Sequence, residues 1–246
     1  MSEEIKTTAE ETAEETSETK KKKSFLSENA VEVLVAVFLG ITAILTAWAS
    51  WISSLHGGNQ ATNYTKSNNL AAEGNSMYNE GLQNYLSDIM VWNTYSEYVF
   101  DLEIANSKGS TAEAELIETK IANYIDQNGT DVLKDAMKAM ENDDNIDSPF
   151  DIPNMTDKYY EEAEEKLAES QELLKEGQKD NSNGDSYNLV SVIYSLVLFM
   201  LGIVGVFKRL PNRAAVLGIA VVGLIATTVY MITIPMPTGF SFANYF

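Results

Sequence analysis

The chain has no cysteine among its 246 residues. That excludes disulfides, thiolate catalysis, iron–sulfur clusters and cysteine zinc sites. Histidine occurs once, at His56, too few for a haem or zinc centre within one copy. A serine–histidine–acid catalytic set would need an activated serine beside His56, and no motif marks one. Basic residues are scarce as well, with 17 Lys and Arg against 36 Asp and Glu. Between His56 and Asn188 the imbalance is 27 to 9, so this middle region carries nearly the whole net charge of −19. Such a surface repels phosphates, which excludes nucleic acid as a partner and favours cations or basic proteins.

Against that polar middle stand three apolar runs. Val31–Leu55 is roughly 25 residues long with one charge, Glu32, at its start, and about 20 such residues cross a bilayer as a helix. Its length exceeds a signal-peptide core, so a retained anchor is expected. Tyr187–Phe207 and Ala214–Pro235 are the second and third runs. The positive-inside rule counts Lys and Arg near span ends. Lys20–Lys23 ahead of the first run, and Lys208, Arg209 and Arg213 between the last two, agree on one orientation. The expected order is a disordered cytoplasmic tail (1–29), a span (30–55), an acidic extracytoplasmic helical domain (56–186), a span (187–207), a cytoplasmic loop (208–213), a span (214–235) and an extracytoplasmic tail (236–246).

Helices pack inside lipid through small side chains. In the first span Ala36, Gly40, Ala43, Ala47, Ser50 and Ser54 line one side, and Leu34, Phe38, Ile41, Leu45, Trp48, Ile52 and Leu55 the other. The small line is expected to face protein and the bulky line lipid. Ser191, Ser195, Gly202 and Gly205 repeat the small pattern in the second span, and Ala220, Gly223 and Thr227 in the third. Trp48, Trp51, Tyr187 and Tyr230 are placed at the outer interface, with Phe240, Phe242, Tyr245 and Phe246 beside them.

The acidic middle reads as all-helical, a hairpin or small bundle. Ala61 to Ala105 lacks proline and keeps apolar residues at helical spacing, from Tyr78 through Leu82, Tyr85, Ile89 and Trp92 to Val99. Gly57-Gly58 either break this helix from the span, as a hinge, or lie within it. Ser110 with Glu113 has the form of a capping box, Asn128-Gly129 ends that helix, and Thr130 opens a short one. Asp157 to Gln178 follows as a charged helix, then a linker over Asp180–Ser186. The two long helices are expected to pair antiparallel.

Candidate chemistry is sparse. Asp143, Asp144, Asn145, Asp147 and Asp151 place oxygens at near-alternate positions, which makes a divalent cation a candidate partner. Ser148 and Asn154 stand where a calcium loop of the helix–loop–helix type needs glycine and glutamate. The spans hold no ionisable group beyond Glu32, which argues against ion-coupled transport. No catalytic residue, cofactor or metal ligand is assigned, and no enzyme is expected.

Several segments resemble one family. They are Ala47-Trp48-Ala49-Ser50-Trp51 with Gly57-Gly58-Asn59-Gln60, then Ser148-Pro149-Phe150 with Pro153 and Tyr159-Tyr160, and Asn183-Gly184-Asp185-Ser186-Tyr187. Together they resemble a group of prokaryotic three-span membrane proteins with a helical region between the first two spans. That resemblance implies the same architecture and carries no activity. The expectation is a non-enzymatic membrane protein acting through protein partners or a homo-oligomer, in contact with membrane lipid. A sensor subunit or an oligomeric cation pore are the alternatives.

Overall fold

The computed structural model describes residues 28–142 and 146–244. The tail reading for 1–29 falls almost wholly outside the described residues, as do Tyr245 and Phe246. Every described element is helical: α1 (Glu28–Ser107), α2 (Thr111–Asn128), α3 (Asp131–Met140), α4 (Glu161–Ile203) and α5 (Leu210–Thr233). Four short 3-10 turns complete them, at Pro149–Asp151, Thr156–Tyr159, Val204–Val206 and Phe242–Asn244. Three of the helices are long and apolar enough to cross a membrane.

Gly57 and Gly58 lie inside the 80 residues of α1. The polar run Asp180–Ser186, expected as a linker, is helical within α4. Propensity argues for a break there, but Asp180 and Gly184 both have tertiary work. Asp180 pairs with His56, and Gly184 accepts a hydrogen bond from Ser53 through its carbonyl. Packing overrides local preference.

The chain divides into two compact units. The first comprises Met1–Asn59 and Asp180–Phe246, the second Gln60–Lys179.

In the first unit, buried positions on α4 recur at spacings of three and four through Tyr187, Val190, Tyr194, Val197 and Leu201. Leu217, Ala220, Leu224, Thr227 and Met231 do the same on α5. Such a stripe is the core-facing side of a helix. On α1 the small line does not face this core. Ala36, Gly40, Ala43, Ala47 and Ser54 are exposed, and the core takes Val31, Ala49 and Ile52. Leu34, Phe38, Leu45, Trp48 and Leu55, expected toward lipid, pack against that core. The physical reason lies on α4, where the phenol rings of Tyr187 and Tyr194 are buried. A core built around such rings leaves no close backbone approach for a glycine–alanine face to exploit. Tyr187 is therefore a core residue, and its hydroxyl donates to the Ile234 carbonyl at 3.3 Å. Ser195 and Gly202 on α4 and Gly205 in the turn after it are exposed too, whereas on α5 Ala220 and Thr227 turn inward as expected. Trp48 and Trp51 do gather with Phe240 and Phe242, Trp48 stacking on Phe242 with centroids 5.6 Å apart.

In the second unit α1 and α4 run antiparallel. Gly177 meets Tyr64, Ser67 meets Ser170, Gly74 meets Leu167, and Gly81 meets Tyr159. Two serine hydroxyls meet mid-way, each donating to the other residue's carbonyl at 2.9 Å. The glycines set the closeness of the pair. A Cβ at Gly81 would sit 2.1 Å from the Tyr159 carbonyl oxygen, well inside contact distance. Leu133, Ala136, Val91 and Met155 form a small core where α3 joins. Ser110 does cap α2 by position, but its side chain makes no capping hydrogen bond. The expected capping box is not formed. Thr130 does cap α3, its hydroxyl accepting from the Leu133 amide at 3.2 Å.

Candidate functional site

Each unit holds a buried polar node built around an ionisable side chain. In the first, His56 is fully buried. Its Nδ1 lies 2.7 Å from Asp180 Oδ1, and Nε2 lies 3.1 Å from the Pro235 carbonyl. A carbonyl only accepts, so Nε2 carries hydrogen and donates. Tyr187 stacks on the imidazole with centroids 5.8 Å apart. One ring thus ties α1, α4 and the segment after α5 together.

In the second unit the node is Asp88, also fully buried. Its Oδ1 accepts from the Thr130 amide at 3.0 Å, and its Oδ2 from the Thr130 hydroxyl and from the Tyr159 hydroxyl, the latter at 2.6 Å. Burial, and then the adjoining carboxylate, push the Tyr159 phenol well above its ordinary value. The carboxylate accepts from three donors and meets no cation within ion-pair distance, among the described residues. It fixes the start of α3 against α1.

That placement makes α3 one wall of a pocket of about 660 Å³, closed by α1 and α2. Val99, Leu102, Ile121, Ile125 and Met137 supply an apolar lining, and Glu118, Asp126, Glu141, Lys134 and Lys138 contribute charge. Tyr95 completes it, stacked on Trp92 at 5.0 Å. Burial, and then Glu141, raise its phenol above the ordinary value. Pockets of this size and character hold small ligands. It offers an apolar bed with charge of both signs and contains no histidine or cysteine.

Outside the pocket, α1 carries a row of exposed apolar side chains. Tyr78, Leu82, Leu86 and Met90 are spaced by four, with Leu86 at 50% and Met90 at 64% exposure. Each step of four advances only about 40° around a helix of 3.6 residues per turn, so the row forms one face. Tyr78 also stacks on Tyr160 with centroids 4.6 Å apart, and Tyr85 is packed edge-on to Phe150 and Tyr159. The aromatic stretch from Tyr78 to Tyr98 therefore splits into an inward and an outward set.

Asp143, Asp144 and Asn145 of the acidic loop lie outside the described residues. Ser148 caps the following turn through the Phe150 amide at 3.3 Å. No group of three or more metal-ligating side chains occurs among the described residues. Sequence reasoning missed His56–Asp180 and Asp88 because each pairs residues far apart in the chain. The one local signal was a lone charge at a core register position, Asp88 standing three residues before Val91. No protein-family model, curated protein or solved structure matches the chain.

Proposed function

We propose that this is a non-enzymatic membrane protein that displays its acidic helical unit outside the membrane and acts as a scaffold or assembly subunit. The observation that supports it is the exposed row Tyr78–Leu82–Leu86–Met90 on a unit otherwise covered in carboxylates. Water-exposed apolar side chains in a continuous line are uncommon on a surface with no partner. Glu97 and Asp101, exposed on the same helix, border the row with negative charge. The matching partner is a protein presenting an apolar helix face flanked by Lys or Arg, bound by side-chain insertion and steered by charge. A second acidic copy is disfavoured by like-charge repulsion.

A photo-crosslinking residue at Leu86, activated in native membranes, tests this. The expected result is a discrete heteromeric adduct that Leu86→Lys abolishes. A chain that stays uncrosslinked at Leu86 and at Leu82 removes the basis of the reading. The pocket beneath Tyr95 favours a second reading, an extracytoplasmic sensor subunit, and a ligand that raises the melting temperature only when Met137 is unaltered would favour it over the first. Protease added to intact cells should cut the acidic unit, which tests its side of the membrane.

A further inference from the structure

In the first unit, Arg213 at the start of α5 is 13% exposed and pairs with Glu32 Oε1 through one terminal nitrogen at 3.2 Å. Its Nε is buried and has no hydrogen-bond partner. An unmet donor on a charged, largely buried guanidinium is costly and calls for an acceptor. Beside it lies a pocket of about 380 Å³, lined by Val35, Ala36 and Leu39 of α1, by Leu201, and by Gly202 and Gly205. Added Cβ atoms at the two glycines would meet nothing within 4 Å, so the groove stays open for lack of side chains. Lys208 and Arg209, both exposed, precede the same helix. The chemistry combines an orphaned guanidinium donor, two further cations and an apolar trough that runs onto spanning helices.

We propose that this groove binds an anionic phospholipid. Its phosphate accepts from Arg213 Nε, and its acyl chain lies against Val35, Leu39 and Leu201. Guanidinium suits phosphate because it offers several donors in one plane. Glu32 occupies one donor and leaves Nε free, so the ion pair presets the guanidinium without consuming it. Basic pockets between spanning helices recognise charged headgroups in this manner. The proposal goes beyond the scaffold reading and needs only that the three apolar helices sit in a bilayer.

Native mass spectrometry of the full chain from nanodiscs of equal phosphatidylglycerol and phosphatidylcholine tests it. The expected result is retained phosphatidylglycerol, reduced about fivefold by Arg213→Gln, the order expected for losing one basic contact. Glu32→Gln breaks the same ion pair but frees the guanidinium, so retention should hold or rise. If Glu32→Gln and Arg213→Gln lose lipid equally, the effect is structural and the proposal fails. Gly205→Leu fills the groove with the ion pair intact and should also expel the lipid; unchanged retention there overturns the site. Competition by glycerophosphate at the lipid's own concentration would assign the site to a free phosphate instead. Equal retention of both lipids by the unaltered protein would end the proposal outright.

Discussion

Asp180 and Asp88 are both buried carboxylates, one in each unit, and they are held in opposite ways. Asp180 faces the imidazole of His56 at 2.7 Å, within the unit that carries the apolar spans. Asp88 faces neutral donors, an amide and two hydroxyls. The first is a carboxylate set against a basic ring. The second is a carboxylate solvated by the protein in place of water. A buried pair suffers most when one member is removed, because the other is stranded. A solvated carboxylate suffers through its donors, each of which loses an acceptor.

The pair should therefore give the largest effect. His56→Leu strands Asp180 beside apolar helices, at a cost of about 3–5 kcal/mol. Removing both, as His56→Leu with Asp180→Leu, should recover most of that loss, because no unpaired charge remains. Thermal unfolding in detergent, followed by helical circular dichroism, reads both variants. A double variant no more stable than the single one would show that the pair acts through shape instead of charge.

Asp88→Ala should come next, at about 2–3 kcal/mol, since it leaves the Thr130 amide and the Tyr159 hydroxyl without an acceptor. Hydrogen exchange should show the loss confined to α3 and the Pro149–Asp151 turn. The same node has an alkaline signature. The Tyr159 phenol is held above its ordinary value of about 10, so its contribution is intact below that value. It fades as pH climbs above it, when the phenol in the unfolded chain ionises first. Tyr159→Phe should flatten the fall in stability above pH ~10. An unchanged alkaline limb would place the sensitivity elsewhere.

How much of this could be read beforehand follows from the range of each interaction. The three long apolar helices, the helical middle, the Thr130 cap and the end at Gly129 were legible because runs, periods and caps are local. Even the pairing of α1 with α4 follows from two long helices of matching period. The continuous helix through Gly57-Gly58 and Asp180–Ser186 was not legible, since polar and glycine residues argue locally for a break and only His56 and Ser53 supply the opposing contacts. His56–Asp180 spans 124 positions of sequence, and Asp88–Thr130 spans 42. No window of a helical turn or two contains either. The small line on α1 does not mark the core side for another reason: glycine and alanine permit close approach without compelling it, and the buried rings of Tyr187 and Tyr194 decided which side turned inward.

The glycines carry the comparison to its smallest effects. Gly81→Ala drives a methyl against the Tyr159 carbonyl, 2.1 Å away, and Tyr159 is a donor to Asp88. The helix pair must part at that level, for about 1–3 kcal/mol of overpacking, and the Tyr159 hydrogen bond should loosen with it. Gly40→Ala in the first unit meets nothing within 4 Å and replaces the poorest non-proline helix former with the best. It should shift stability by less than about 1 kcal/mol, and in the favourable direction. Two glycines on one helix thus differ in sign, the first kept for contact and the second lying on an open face. Should Gly40→Ala destabilise the protein in a bilayer while leaving it unharmed in detergent, that face would be covered in the membrane by another helix.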